Sequence, residues 1–263
     1  MSDILYEVNG HVATLTINRP QAYNAMGSLA HFELSQALDD IAQDDNIRAV
    51  VLTGAGDKAF SAGRDLKELA AYPHMSAQEQ AVVDERWQQL TRLTNRFNFY
   101  KPIIAKVNGL ALGGGFELAL ACDIIVAADH ASFALPEPKR GLIAMAGGAH
   151  RLPRQIPLKL AMGLLLTGRS LTAEQALAQG IVNQVVPADQ LDVAVETWLD
   201  DILACAPLSL LATKQSAMDG LGRPLEEAVF ATYALEEKRK QSRDTQEGPK
   251  AFAEKRAPQW TGT

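Results

Sequence analysis

The stretch Lys101–Asp123, KPIIAKVNGLALGGGFELALACD, decides how the rest of the chain is read. Lys101-Pro102 breaks any helix before it, because proline has no N–H to donate. Ile103–Val107 is a short apolar run bounded by turn residues, which predicts a strand. Asn108-Gly109 predicts a turn. Gly113-Gly114-Gly115 leads into Phe116-Glu117-Leu118-Ala119-Leu120, a helix start, and Ile124–Ala127 predicts another strand.

The same alternation continues upstream. Tyr6-Glu7-Val8 and Val12–Ile17 flank Asn9-Gly10, the pair that best accepts the positive φ of a tight hairpin. Ala13, Leu15 and Ile17 fall on one face of a strand, which Arg19-Pro20 stops. Ser28 is placed to cap a helix whose stripe is Leu34, Leu38 and Ile41. Ala49–Thr53 reads as a buried strand ended by Gly54-Ala55-Gly56. Residues 58–66 read as a loop and a short turn, and 76–99 as one helix carrying Trp87, Leu90, Leu93 and Phe97.

Downstream the texture becomes helical. Thr172-x-x-Gln175 is a capping box and Gly180 closes its helix. Residues 191–205, 208–218 and 224–240 predict helices. The expectation is an α/β core over 1–190 and a helical region over 191–263.

Composition narrows the function. The chain has 263 residues, 47% apolar and 21% charged, so it can build a packed core. Its net charge is −6 and no basic patch stands out, so no nucleic-acid partner is expected. No apolar run is long enough for a bilayer helix, so no membrane partner is expected either. Met1-Ser2-Asp3 lacks the basic flank of a signal peptide, and Cys122 and Cys205 lie far apart with no CxxC. We therefore expect a cytoplasmic protein with free thiols.

Several motifs fail on context. Gly54-x-Gly56-x-x-Ala59 follows a strand but runs into the loop Phe60-Ser61-Ala62-Gly63, not the long helix that a dinucleotide site needs. GxSxG and GxxxxGK[ST] are absent, and the five histidines show no HExxH, so no metal is expected.

Two carboxylates and one glycine run carry chemistry. The triplet at 113–115 exposes backbone N–H groups at a helix N-terminus, which suits a developing oxyanion, although a tight turn would also use it. Glu117 sits in the first turn among apolar neighbours, as a desolvated acid or a capping carboxylate. Glu137 is bracketed by Pro136 and Pro138 after the apolar run 132–135, as a second acid or an exposed loop residue. Together they form a kit for proton transfer at a carbon beside a carbonyl.

At these residues the chain resembles the crotonase (enoyl-CoA hydratase/isomerase) superfamily, over essentially its whole length. The resemblance rests on Ile17–Pro20 with Asn24-Ala25, AFSAGRDLK at 59–67, Lys101–Asp123, residues 131–152 and 166–186, Glu247–Pro249, and AFAEKR at 251–256. It is closest in look to enoyl-CoA hydratases and carnitinyl-CoA dehydratases, the latter through GGGFELALA, ASFALPE and TGR. The resemblance implies a ClpP/crotonase-like spiral of repeated ββα units, with a C-terminal helical trimerisation region. It implies a homotrimer or homohexamer, an acyl-CoA thioester substrate, and no cofactor beyond the coenzyme A that the substrate carries.

The resemblance also implies roles. Glu117 and Glu137 match the hydratase glutamates. The backbone N–H groups of Arg64 and Gly114 match the oxyanion hole. Ala62, Asp65, Leu66, Lys67 and Gly113 would line the substrate and its CoA arm, and Lys255 matches a tail lysine near a CoA phosphate. Ala144-Met145 stands where hydratases carry Pro-Gly, so Met145 is expected to reshape the acyl pocket. An isomerase using one glutamate, and a non-catalytic acyl-CoA binder, are the rival readings. Trp87, Tyr72 and Trp260 are the aromatics that could face a quaternary ammonium.

Overall fold

The computed structural model describes residues 2–263, so the reading of Met1 lies outside it. Strands β1 (Ile4–Asn9) and β2 (Val12–Ile17) form an antiparallel hairpin. Its two-residue loop is Gly10-His11, not Asn9-Gly10: Asn9 pairs with Val12, and Gly10 takes the positive φ of 56°. Ala13, Leu15 and Ile17 point into the core as their alternation requires.

Helix α1 (Ser28–Gln43) follows, with Leu34, Leu38 and Ile41 buried. Ser28 is its first helical residue, and its hydroxyl does not cap it. The capping oxygens come from Glu68, which accepts the Ser28 N–H at 2.9 Å. Strand β3 (Ala49–Gly54) is buried along its whole length. Strand β4 (Ala59–Ser61) comes next, then helix α2 (Leu66–Ala71) and helix α3 (Ala77–Gln89).

The helix expected over 76–99 is therefore shorter. Leu90 turns extended, and Thr91 N–H donates to Ser35 Oγ at 2.9 Å. Arg96 also bonds the Thr91 carbonyl at 3.2 Å. Contacts with α1 thus replace the next helical turn, and Phe97 is left exposed.

The decisive stretch folds as β5 (Ile103–Val107), β6 (Leu110–Leu112) and α4 (Gly114–Ala121). Then come β7 (Ile124–Ala128), β8 (Ser132–Ala134), α5 (Gly148–Gln155) and α6 (Leu158–Thr167). Strand β9 (Ser170–Thr172), helix α7 (Ala173–Ala178) and strand β10 (Gln184–Val186) complete the strand-bearing part. The capping box at Thr172 and Gln175 is formed on α7.

From β3 to β8, consecutive strands alternate between two sheets. One sheet has the order β1-β2-β3-β5-β7-β10, the other β4-β6-β8-β9. Thus β3/β4, β5/β6 and β7/β8 each give one strand to each sheet, and adjacent units pair in parallel. This is the spiral of ββα units. Its main core lies between the layers, around Phe60, Phe116, Phe133 and Leu52.

Helix α8 (Leu191–Leu203) covers the other face of the larger sheet, burying Leu191, Ala194 and Val195 against Val51, Ile104 and Val126. Helices α9 (Pro207–Gly220), α10 (Leu225–Phe230), α11 (Ala234–Lys240) and α12 (Asp244–Ala253) end the chain. The single helix expected over 224–240 is split. Tyr233 is extended, its hydroxyl donates to Ala228 O at 2.9 Å, and Leu235 N–H donates to Gln215 Oε1 at 2.8 Å. Partners outside the local turn thus take groups a continuous helix would use. Among the described residues no helix is long and apolar enough to cross a membrane.

Candidate active site

Helix α4 is held close to the end of β4. A Cβ on Gly115 would collide with the Ser61 carbonyl, so glycine is required there. Gly63 has φ of 82°, and a Cβ on it would lie 2.6 Å from both Gly114 N and Leu112 O. These two positions bring the loop after β4 against the N-terminus of α4.

The direction of the Arg64 N–H follows from one bridge. Met26 N–H donates to Gly63 O at 2.7 Å and Asp65 N–H to Met26 O at 3.0 Å, in a parallel pairing with Arg64. Residues 63 and 65 face Met26, so the Arg64 N–H points the other way. Gly114 is the first residue of α4, where an N–H has no intrahelical acceptor. Among the described residues neither N–H has a backbone partner. A Cβ built on Gly114 stands 3.4 Å from Arg64 N, so the two donors are neighbours.

Two cavities meet here, of about 670 Å³ and 440 Å³. Both are lined by Arg64, Gly114, Glu137 and Leu142. The larger also contains Glu117, Met145, His31 and Trp87. The smaller contains Ala62, Asp65, Leu66, Lys67 and Gly113. All the expected site residues except Lys255 thus fall around one pair of joined cavities. Lys255 follows α12, is exposed, has φ of 54°, and lines neither cavity.

Glu117 is 3% exposed, and its Oε1 accepts the Gly148 N–H at 2.8 Å. Burial pushes its carboxyl up from the ordinary value; the Gly148 bond opposes this and the Glu137 charge adds to it. Burial likewise pushes the Glu137 carboxyl up. Its Oε2 is sealed and has no hydrogen-bond partner among the described residues. Both acids therefore hold their protons to higher pH than exposed glutamates do.

Asp65 has a structural engagement that spacing does not reveal. It caps α2 through Lys67 N and Glu68 N, and pairs with Arg19 at 2.8 Å. Burial alone would raise its carboxyl, but Arg19 and these backbone donors hold it below its ordinary value. Leu66 and Lys67 lie in α2, not in a loop. Met145 stands at the rim of the larger cavity, 63% exposed.

The sequence pattern missed His31 and Arg92 as cavity residues. His31 is on α1 and Arg92 lies beyond α3, so only packing brings them together. Of the three aromatics, Trp87 lines the cavity. The Tyr72 hydroxyl donates to Asp84, and Trp260 Nε1 donates to Ala204 O. Among the described residues no three His, Cys, Asp or Glu side chains cluster as metal ligands.

Residues 7–263 match the family model described as enoyl-CoA hydratase/isomerase. A carnitinyl-CoA dehydratase of Salmonella arizonae is 41% identical, covering 97% of this chain and 96% of its own. An (E)-benzylidenesuccinyl-CoA hydratase of Thauera aromatica is 38% identical over 98% of this chain and 99% of its own. The crystal structure of an enoyl-CoA hydratase from Mycobacterium tuberculosis H37Rv superposes with a TM-score of 0.89 at 38% identity, covering 100% of both chains.

Proposed function

The chain belongs to the enoyl-CoA hydratase/isomerase family, and from that premise we propose that it adds water reversibly across the α,β double bond of a 2-enoyl-CoA thioester. One observation carries the reading. Two carboxyls, the buried Glu117 and the half-buried Glu137, line a cavity that also holds the unpaired N–H groups of Arg64 and Gly114.

The thioester oxygen accepts both N–H groups. As negative charge gathers on that oxygen, the donors stabilise it without reorganising; one such donor is typically worth about 3–4 kcal/mol. Glu117 holds a water and takes its proton as the oxygen attacks Cβ. Glu137 gives its proton to Cα, which completes the addition. Dehydration runs the same steps backward. The two carboxyls titrate as a coupled pair, since the charge of Glu137 raises the Glu117 value.

The smaller cavity takes the CoA arm along Ala62, Leu66 and Lys67; Lys255 lines neither cavity, and its assignment to a CoA phosphate rests on the sequence resemblance alone. Coenzyme A arrives with the substrate, so the chemistry asks for no resident cofactor. We assign the protein to the cytoplasm and the working form to a homotrimer or homohexamer. The exposed Leu225, Val229 and Phe230 of α10 support an oligomer that covers them. Relatives named for carnitinyl-CoA and for benzylidenesuccinyl-CoA leave two classes of acyl group in play.

The test is loss of the ultraviolet absorbance of the conjugated enoyl thioester, with products identified by mass. Hydration of any 2-enoyl-CoA that is abolished by Glu117→Gln or Glu137→Gln is the expected result. A double-bond shift in a 3-enoyl-CoA without hydration would replace the reading by the isomerase. Binding without turnover would replace it by a carrier of acyl-CoA.

A further inference from the structure

We propose that the acyl end of the larger cavity selects an anionic group, so that the substrate is a 2-enoyl-CoA bearing a carboxylate on its acyl part. The reaction assumed is the hydration above; the selected charge is read from the cavity wall. Arg92 lines the larger cavity alone, and Arg64 lines it where the two cavities join. Two other arginines nearby are taken up by ion pairs: Arg96 with Asp39, and Arg19 with Asp65 at 2.8 Å. Among the described residues neither Arg64 nor Arg92 has a carboxylate partner.

Both charges converge on one reporter. Burial, together with Arg92 and Arg64, holds the His31 imidazole down to about 4, so this side chain is neutral near pH 7. Arg92 also reaches Glu117 electrostatically. His31 packs on Trp87 with ring centroids 5.3 Å apart. The larger cavity thus carries the Trp87 face and two arginines that are outside any salt bridge, together with Glu117 and Glu137, whose carboxyls are both pushed toward the neutral form.

A carboxylate placed there receives charge-assisted hydrogen bonds, for which guanidinium forks are well shaped. A quaternary ammonium could gain from the Trp87 face, but it would meet two like charges. The charge of the wall therefore favours the acid over the ammonium.

The experiment compares three thioesters of similar length. Glutaconyl-CoA is anionic, 2-pentenoyl-CoA neutral and crotonobetainyl-CoA cationic. We expect kcat/KM to rank anionic over neutral by about tenfold or more, with the cationic thioester slowest. In Arg92→Gln the anionic-to-neutral ratio falls toward one, and Arg92→Lys restores part of it. A neutral or cationic preference, or a ratio unmoved by Arg92→Gln, overturns the proposal.

Hydration of none of the three defeats the hydratase reading instead. The anion site is then judged by calorimetric Kd values of glutaryl-CoA and butyryl-CoA. Tighter glutaryl-CoA binding that Arg92→Gln erases upholds it, and equal Kd values overturn it.

Discussion

Gly148 N–H donates to Glu117 Oε1 at 2.8 Å, joining the first turn of α5 to the first turn of α4. The bond ties one carboxyl oxygen to the start of α5. It also makes Glu117 a structural acceptor, so its variants separate folding from chemistry. Glu117→Gln keeps an acceptor for Gly148, and we expect a fold of unchanged architecture with turnover down about 10²–10⁴-fold. Glu117→Ala leaves the Gly148 N–H unpaired and should lose about 1–3 kcal/mol as well. Hydration rates and urea unfolding of both variants check this.

Stability should carry the signature of the raised carboxyls. The folded values of Glu117 and Glu137 lie above the ordinary 4.5. Their stabilising effect, relative to the ionised forms, is fully present below the unfolded value and is lost as pH rises through the folded one. Glu117→Gln should therefore gain stability relative to the parent as pH rises from acid to neutral. Denaturant midpoints across that range would refute the burial argument if the difference stayed flat.

The acid limb of the pH–rate profile should report the same coupling. If Glu117 is the base, kcat/KM falls as pH drops through its raised value. Removing the charge at position 137 takes away one cause of that elevation. In Glu137→Gln the residual activity should show an acid limb shifted to lower pH. An unshifted limb would mean that the two carboxyls do not interact.

Alanine at Gly63 and at Gly114 should differ in its effect on stability. At Gly114 an added Cβ meets nothing nearer than 3.4 Å, so the fold tolerates it, but the methyl intrudes beside Arg64 N. We expect near-parent stability and a fall in turnover of about 10²–10³-fold, the scale of a lost oxyanion donor. At Gly63 the φ of 82° and the 2.6 Å approach to Gly114 N force the backbone apart. Gly63→Ala should lose both stability and activity, as thermal unfolding and rates would reveal.

Asp65 tests whether a site-lining residue acts through the fold. Asp65→Ala removes the cap of α2 and the nearer of the two carboxylate partners of Arg19. A lost cap costs about 0.5–2 kcal/mol. Because the folded Asp65 value is depressed, its contribution is present above the unfolded value and fades as pH falls through the folded one. The stability gap between Asp65→Ala and the parent should thus shrink at low pH, as paired urea titrations would record.

The sequence by itself determined the elements whose causes are local. The buried run of β3, the alternation of β2, the Gly–Glu entry into α4 and the capping box of α7 all show in neighbouring residues. It also marked Glu117, Glu137 and the glycine run, because carboxylates in apolar settings are chemically conspicuous. Only the tertiary structure decided what depends on distant partners. Glu68 caps α1 from beyond β4, Met26 turns the Arg64 N–H, and contacts with Ser35 and Gln215 end or split helices that periodicity would continue. Arg92 and His31 meet in one wall for the same reason. Periodicity encodes which face of an element is buried. It does not encode which hydrogen-bond donor or charge, many residues away, will be brought against that face.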